Sequence, residues 1–474
     1  MNRFIVFSCL LFLMASQHSF SQSENGEVSK QNSMAISFPG AEGFGKFCTG
    51  GRGGRVFVVS NLKDRGEGSF REAAEWSGKR IIVFALSGTI HLEAKLYIKG
   101  NVTIAGQTAP GDGICIADNS VGFGGDNIIV RYMRFRMGDK YQKGGMVDGN
   151  GGDDAFGGNR RNNIIIDHCS ISWSTDEVFS VYAGDNSTLQ WNIISEPLNY
   201  SYHFETGDTD YEKHGYGAIW GGAHLSAHHN LFAHCNSRNP RFDGIRNAST
   251  ELVDFVNNVI YNWGGNNIYA GEGGNYNLIN NFFKYGPETK MSTKFQIVNP
   301  NNKLPKIPFG KFYVMGNFVD GAKDVTRNNY LGVHMGNNGT EQDKKDAIIN
   351  SPHAVTTIQM QSAKDAYESV LCKVGASFRR DTLDERIIKD VKNRTGKFID
   401  VQGGFPHGTE YELTLGAWPN LKSLKSESDK DKDGIPDDWE KMKGLNCDDP
   451  NDASKYTLQT LYTNIEVYIN GIVK

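Results

Sequence analysis

The chain has 474 residues, 22% of them charged and 38% hydrophobic, with a formal net charge of −4. This slightly acidic balance gives no support to a polyanion-coating role such as nucleic-acid binding, and beyond the first residues no stretch is apolar for long enough to span a bilayer. Length alone suggests two conventional domains, whereas 55 glycines point to many tight turns and little long helix.

At the start, Met1-Asn2-Arg3 supplies a short positive segment, Phe4 to Ala15 is almost wholly apolar, and Ser19-Phe20-Ser21 offers small residues for cleavage. These are the three parts of an export signal, placed at 1–21, too short in its apolar part to be an anchor. The mature protein is therefore expected to be soluble and secreted, to the periplasm or the outside, with 22–37 as a flexible leader. Cys9 leaves with the signal. The six remaining cysteines (Cys48, Cys115, Cys169, Cys235, Cys372, Cys447) are scattered singly without CxxC spacing, which argues against zinc or redox motifs. Disulfides are permitted by compartment, but spacing does not pair them.

One helix opens at the capping box Ser69-Phe70-Arg71-Glu72 and continues to Trp76. From Arg80 to about Asp320 the chain reads as short strands rich in β-branched residues and flanked by Gly, Asn or Asp, such as Asn101–Ile104, Ile128–Arg131 and Asn163–Ile166. Seven of them align on one column, Met133, Cys169, Asn192, Asn230, Asn258, Asn281 and Asn317, at intervals of 23 to 38 residues. Variable spacing with a constant local pattern suits a solenoid whose loops differ in length; hairpins of a β-sandwich would not keep register through such unequal insertions. The asparagines are expected to tolerate positive φ at a sharp turn and to bond the same residue one coil away.

After about Lys323 the pattern dissolves. Helical stretches at Lys364–Val374 and Leu383–Arg394 are expected to cap the open end of the solenoid, and Lys422–Lys432 reads as a linker. Within 426–474, Asp429-x-Asp431-x-Asp433-Gly434-Ile435-x-Asp437-x-x-Glu440 fits the twelve-position EF-hand loop, with Ile435 offering its carbonyl and Trp439 packing the loop. A solvated acidic linker is the alternative. Asp448, Asp449, Asn451 and Asp452 are a candidate for a second, weaker site.

Two acidic pairs lie either side of one strand: Asp153-Asp154 precedes it and Asp176-Glu177 follows it. Projecting from neighbouring turns, they would offer oxygen-rich, sulfur-free ligation suited to a hard cation, calcium above all; ordinary turn carboxylates are the alternative. Ser237-Arg238-Asn239-Pro240-Arg241 follows the Asn230 strand, and guanidinium groups there suit uronate carboxylates, although Arg241 reads better as paired with a neighbouring acid. Strand alternation puts His228 and His229 on opposite faces, which argues against a metal site built from His224, His228, His229 and His234.

Five segments in order, Gly50-Gly51-Arg52-Gly53-Gly54, Arg80–Ile90, Ile165-Ile166-Asp167-His168, His228-His229-Asn230 and Arg238-Asn239-Pro240, resemble polysaccharide lyase family 1, the pectate lyases, over roughly residues 38 to 290. The third segment is similar to the family's "WIDH", with Ile for Trp. The resemblance implies an all-β fold, a right-handed parallel β-helix; with the readings above, this gives a lyase domain over 38–425 with the small helix near its start and C-terminal capping segments, and the calcium-loop region at 426–474 lies outside the resemblance. It implies Ca2+ as cofactor and acidic plant-wall polysaccharide (homogalacturonan, pectate) as the partner of a monomer. By the same likeness, Arg238 is the base taking the C5 proton, Asp154 a calcium ligand, and Asp176 or its neighbour Glu177 the next. Asp153 adjoins Gly152, which stands at the family's other first-pair position, and Ser180 stands where a last acidic ligand is expected. Asp243 replaces the motif's closing arginine, leaving Arg241 or Arg246 to bind substrate, and Lys213 lies near the position of a substrate-contacting lysine.

The implied activity is calcium-assisted β-elimination on polygalacturonate, giving unsaturated oligogalacturonides. Arginine acts as a base only once neutral, so nearby calcium and cations would have to favour that form, with alkaline conditions raising the active fraction. Three other activities use the same kind of scaffold: a non-catalytic polysaccharide-binding β-helix, a glycoside hydrolase using the paired carboxylates, and a pectin lyase acting on methyl-esterified chains without calcium. Rhamnogalacturonan is a further substrate to test.

Overall fold

The structure, a computed structural model, describes residues 35–144, 152–204 and 208–473. The expected export signal over 1–21, most of the 22–37 leader and Gly151 lie outside them. The β-branched runs form short parallel strands that wind in successive coils through three faces. The first face holds strands such as Ile128–Arg131, Asn162–Asp167 and Leu225–His228; the second holds Arg134–Arg136, Ser170–Ser172 and Ile193–Ser195; the third holds Val121–Phe123, Phe156–Asn159 and Ile219–Gly222. One long strand, Phe179–Gln190, passes from the third face into the first, so hydrogen bonds join those two into a 17-stranded sheet beside the nine-stranded second face. Among the described residues every strand pairing between successive coils is parallel, and the fold is an all-β parallel β-helix.

Alternation along each strand sends one set of side chains inward. Ile82, Ile104, Val130, Ile166, Leu189, Ala227, Phe255, Leu278 and Val314 stand in register one above another in consecutive coils and are buried. Each large member of such a column contributes about 1.5–3 kcal/mol on burial.

The expected asparagine column is a buried ladder. The backbone N–H of Cys169 donates to the Asn192 side-chain oxygen, Asn192 to Asn230, Asn230 to Asn258, Asn258 to Asn281 and Asn281 to Asn317, all at 2.9–3.0 Å. A rung that the sequence pattern missed, Asn329, closes it at 2.8 Å. Positive φ falls one residue earlier than expected, on Tyr132, His168, Trp191, His229, Asn257 and Asn280. The ladder asparagine points inward, so the residue before it makes the left-handed turn, and the aromatic members of that turn column stack on one another. For the same reason strand alternation does not apply to His229: its ring meets His228, Nδ1 to Nδ1, at 2.9 Å.

Outward residues decide what covers each face. On the first face, Ile129 and Ile165 pack under Phe38, Ala41 and Cys48, while Ile81, Val83 and Ala105 pack under Ile435, Ala453, Ile465 and Ile469 of the C-terminal segment. The two expected helices form at Ala363–Lys373 and Thr382–Asn393, but they lie along the second face instead of over the end. The reason is chemical: that face turns Ile193, Leu231, Val259, Tyr261 and Phe282 outward, and these take Val370, Leu371, Ile387 and Val391. Arg136 fixes the docking through Asp381 and Asp384 at 2.6 and 2.9 Å. Near the start, Ser69 caps helix Phe70–Glu75 by accepting from the Glu72 N–H, while the Glu72 carboxylate accepts from Gly68 N–H instead of closing a full capping box. The six described cysteines are free thiols.

Candidate active site

The third face turns outward mostly small residues, polar residues and tyrosines. Tyr97, Gly122, Gly157 and Ser180 follow one another in register, and Ile219, Arg241, Tyr269 and Asn299 continue the column, with Ile219 its one aliphatic member. Gly157 is required there, with φ +137° and only 2.0 Å between a would-be Cβ and the Ser180 carbonyl oxygen. A face so lined buries little apolar area, which gives a covering helix nothing to dock on.

At the leading edge of this face, consecutive coils bring together residues far apart in sequence. Asp176 N–H donates to the Asp153 carbonyl, Glu177 bridges in parallel with Tyr216, and Tyr216 with Ser237. Asp153–Asp154, Asp176–Glu177, His214–Tyr216 and Arg238 are thereby stacked on one flank. One carboxylate oxygen each from Asp154, Asp176 and Glu177 lies within 4.8 Å of the others. Arg238 ion-pairs with Glu177, its guanidinium lies 4.4 Å from the centre of the Tyr216 ring, and its own backbone is left-handed at φ 58°.

Two of the carboxyls are pushed in opposite directions. Burial pushes the Asp154 carboxyl well above the usual range, the Asp176 charge adds to that, and a Ser180 hydrogen bond and Arg238 oppose it. Burial also raises Asp176, but the His214 hydrogen bond at 2.8 Å together with the His214, His203 and Arg238 charges outweighs it and holds that carboxyl below the usual range. Asp153 is already engaged by Lys95 at 2.5 Å and Gln142 at 2.7 Å, so it braces the site from one side. Three clustered carboxylates with only one arginine in contact form an oxygen donor set that fits a hard divalent cation.

The other expected substrate contacts fall differently. Arg241 is buried, with its guanidinium 2.9 Å from Glu272, the partner that claims it. Arg246 is about a third exposed beside Asp243 at 3.3 Å and keeps a face toward solvent. Lys213 is exposed, next to His214. Sequence reasoning missed His203, His214 and Tyr216, which come from the long connection between Ser195 and Ile219. His214 contacts Asp176 on one side and the Tyr216 ring, 3.6 Å between centroids, on the other. The His203 ring lies 3.7 Å from that of His214, tilted by 34°, and Asp176, His203 and His214 also bring ligand atoms together. The only signal was their place one coil beyond the Asp176 pair.

The C-terminal loop forms a second carboxylate cluster. Asp429 accepts from the Asp433 and Gly434 N–H groups, and Asp433 from Ile435 N–H, which folds the loop inward around Asp429, Asp431 and Asp433. Both oxygens of Asp431, one of Asp433 and both of Glu440 are buried without a hydrogen-bond partner. Buried oxygens left this way are costly, and a cation satisfies them. Ile435 sends its side chain into the core against the first face. Asp437 is turned back onto the loop, accepting from Ser428 at 2.5 Å and Lys430 N–H at 2.8 Å, so it closes the loop through those bonds.

No family model matches the chain. The chain is 37% identical over 454 residues to a protein of Aspergillus flavus named "Probable pectate lyase C", covering 93% of this chain and 95% of that one. It is 36% identical over 454 residues to the Emericella nidulans protein of the same name, at 94% of each chain. Among solved structures, a Bacillus subtilis pectate lyase mutant is similar with a TM-score of 0.47 at 14% identity, covering 71% of this chain and 96% of that one. The first two relatives extend over nearly the whole chain, beyond the segments in which the motifs lie, and on that ground the chain belongs to the pectate lyase family.

Proposed function

We propose that this protein is a secreted pectate lyase that cleaves polygalacturonate by β-elimination with calcium, leaving unsaturated ends. The observation that carries the reading is the stacking of Asp154, Asp176 and Glu177 beside Arg238 on the uncovered face. A linear acidic polymer lying along that face would pass the carboxylates and the arginine together, because all four stand on one flank.

Elimination removes the proton at C5, α to the uronate carboxylate. The C–H electron pair becomes the C4–C5 double bond while the glycosidic oxygen leaves C4 and is protonated. Arg238 is the group assigned to accept the C5 proton; Tyr216 and Glu177 position its guanidinium but favour its charged form, so action as a base requires Glu177 to be engaged elsewhere, as it would be in holding calcium. Asp154, Asp176 and Glu177 would hold calcium, which when bound supplies positive charge to the uronate carboxylate and the enolate-like charge developing beside it. His214 orients Asp176, Lys95 and Gln142 hold Asp153, and Arg246 and Lys213 are the solvent-facing cations for neighbouring uronates. The C-terminal loop is assigned a separate, structural calcium through Asp429, Asp431, Asp433 and Glu440.

The test is incubation of purified protein with polygalacturonate, with and without calcium, while ultraviolet absorbance is followed. Growth of absorbance that stops on chelation supports the reading. Saturated products would point to hydrolysis, binding without shortening to a lectin-like role, and calcium-free cleavage of esterified chains to a pectin lyase.

A further inference from the structure

Asp452 lies outside the twelve-position loop at 429–440, in the short turn Asp452–Ser454, and sequence spacing groups it with Asp448, Asp449 and Asn451. The structure separates that group. Asp448 is exposed and ion-paired with Lys430, and Asp449 faces Lys455 at 2.8 Å and accepts from Asn451. Asp452 turns the other way. It is 6% exposed, one oxygen accepts the Asn446 N–H at 2.9 Å, and the other, Oδ1, is buried with no hydrogen-bond partner.

That unpartnered oxygen points into company of its own kind. Asp433 is 1% exposed and Glu440 fully buried, both have unpartnered oxygens, and one ligand atom from each of Asp433, Glu440 and Asp452 lies within 4.8 Å of the others. Among the described residues none of the three is ion-paired. Three buried carboxylates converging without a counter-charge repel one another and lack hydrogen-bond compensation, an arrangement that a multivalent cation relieves.

We propose that Asp452 is a further ligand of the calcium loop, so that one ion ties the 429–440 loop to the 452–454 turn and pins both on the first face of the β-helix. The turn carries Ala453 into the same apolar cluster as Ile435, Ile465 and Ile469, against Ile81, Val83 and Ala105. The Asp452 carbonyl accepts from the Asn464 side chain at 2.8 Å, at the start of the last helix, Asn464–Ile472. Glu466 of that helix meets Arg52 at 2.9 Å, and Arg52 also binds the Ile36 and Ser37 carbonyls. The ion thereby fastens the last helix to the coil and, through Arg52, to the beginning of the described chain. The proposal rests on the loop reading given above and is independent of the lyase assignment.

The experiment is thermal unfolding of the full chain, stripped with chelator and then titrated with calcium, for wild type, Asp452→Asn, Asp448→Asn and Glu440→Gln. Asparagine keeps an acceptor for Asn446 N–H but removes the charge. Asp452→Asn is expected to melt higher than wild type in chelator, because a repulsion is gone, and to need about tenfold more calcium for half of the stabilisation. Asp448→Asn should shift neither, and the pattern should persist in an Asp154→Asn background, which removes the contribution of the groove. If Glu440→Gln abolishes the calcium response while Asp452→Asn behaves as wild type, or if Asp448→Asn matches Asp452→Asn, the role of Asp452 is overturned and the loop stands. If Glu440→Gln leaves the response intact, the loop reading fails and Asp452 with it.

Discussion

The two carboxylate clusters are built from the same residue types and put them to opposite use. In the groove, Asp153 meets Lys95, Asp176 meets His214 and Glu177 meets Arg238. In the C-terminal loop, oxygens of Asp431, Asp433, Glu440 and Asp452 are buried with no partner at all. Partnered carboxylates on an uncovered face can exchange contacts with a substrate at little cost. Unpartnered ones sealed over a sheet are costly as they stand, which is why the loop is proposed to hold a cation. The difference teaches that acidity alone does not separate a site of chemistry from a site of attachment. The neighbours do.

The largest expected effect tests the groove. Arg238→Ala should lower the rate of unsaturated-uronide formation by about 10³-fold, the scale of a lost general base, with the melting temperature within a few degrees of wild type. Activity retained at wild-type level would remove Arg238 from the reaction. Next, Asp154→Asn should raise the calcium needed for activity by about tenfold while leaving the calcium dependence of melting unchanged, if each cluster holds its own ion as proposed. A melting curve that moves with it would merge what the comparison separates.

Stability should respond at the other cluster. Arg52→Ala leaves Glu466 buried without its partner and is expected to cost about 3–5 kcal/mol in a denaturant titration, with kcat unchanged. A last effect lies outside both clusters, in the turn column of the coil. His229 accepts at Nδ1 from His228 and donates Nε2–H to Gln361 at 3.0 Å, and burial pushes it down to about 4 from the ordinary 6.5. The folded state therefore prefers neutral His229, and that stability is present above pH 6.5. As pH falls from 6.5 to 4 the unfolded chain takes up the proton first, so stability should drop by about 3 kcal/mol over this window. His229→Gln should lessen the slope and leave the part owed to buried His228, whose pKa is also held well below the ordinary value; an unchanged slope would place the acid sensitivity elsewhere.

How far the fold was legible follows from which interactions are local. The asparagine ladder was readable because each rung repeats one short pattern, whatever the loop between rungs. The left-handed turn was misplaced by one residue, since the same pattern holds an inward amide and an outward turn side by side, as at Asn257 and Asn258. The helices at 363–373 and 382–393 were found by pattern, yet their resting place depended on which face turns Ile193, Leu231 and Val259 outward. In the site, Asp154, Asp176, Glu177 and Arg238 carried a motif, whereas His214 and Tyr216 lay in a long connection with no spacing to mark them. The fate of Arg241 turned on Glu272, a neighbour only after the chain has gone round once more.

By itself, then, the order of residues determined the turn chemistry, the inward columns and the loop at 429–440, because backbone preference and side-chain alternation act over a few positions. Tertiary structure alone decided which face stayed bare, which carboxylates found partners and where Asp452 points. Coils stacked about 4.8 Å apart make neighbours of residues twenty to forty positions distant, and no local preference encodes that contact.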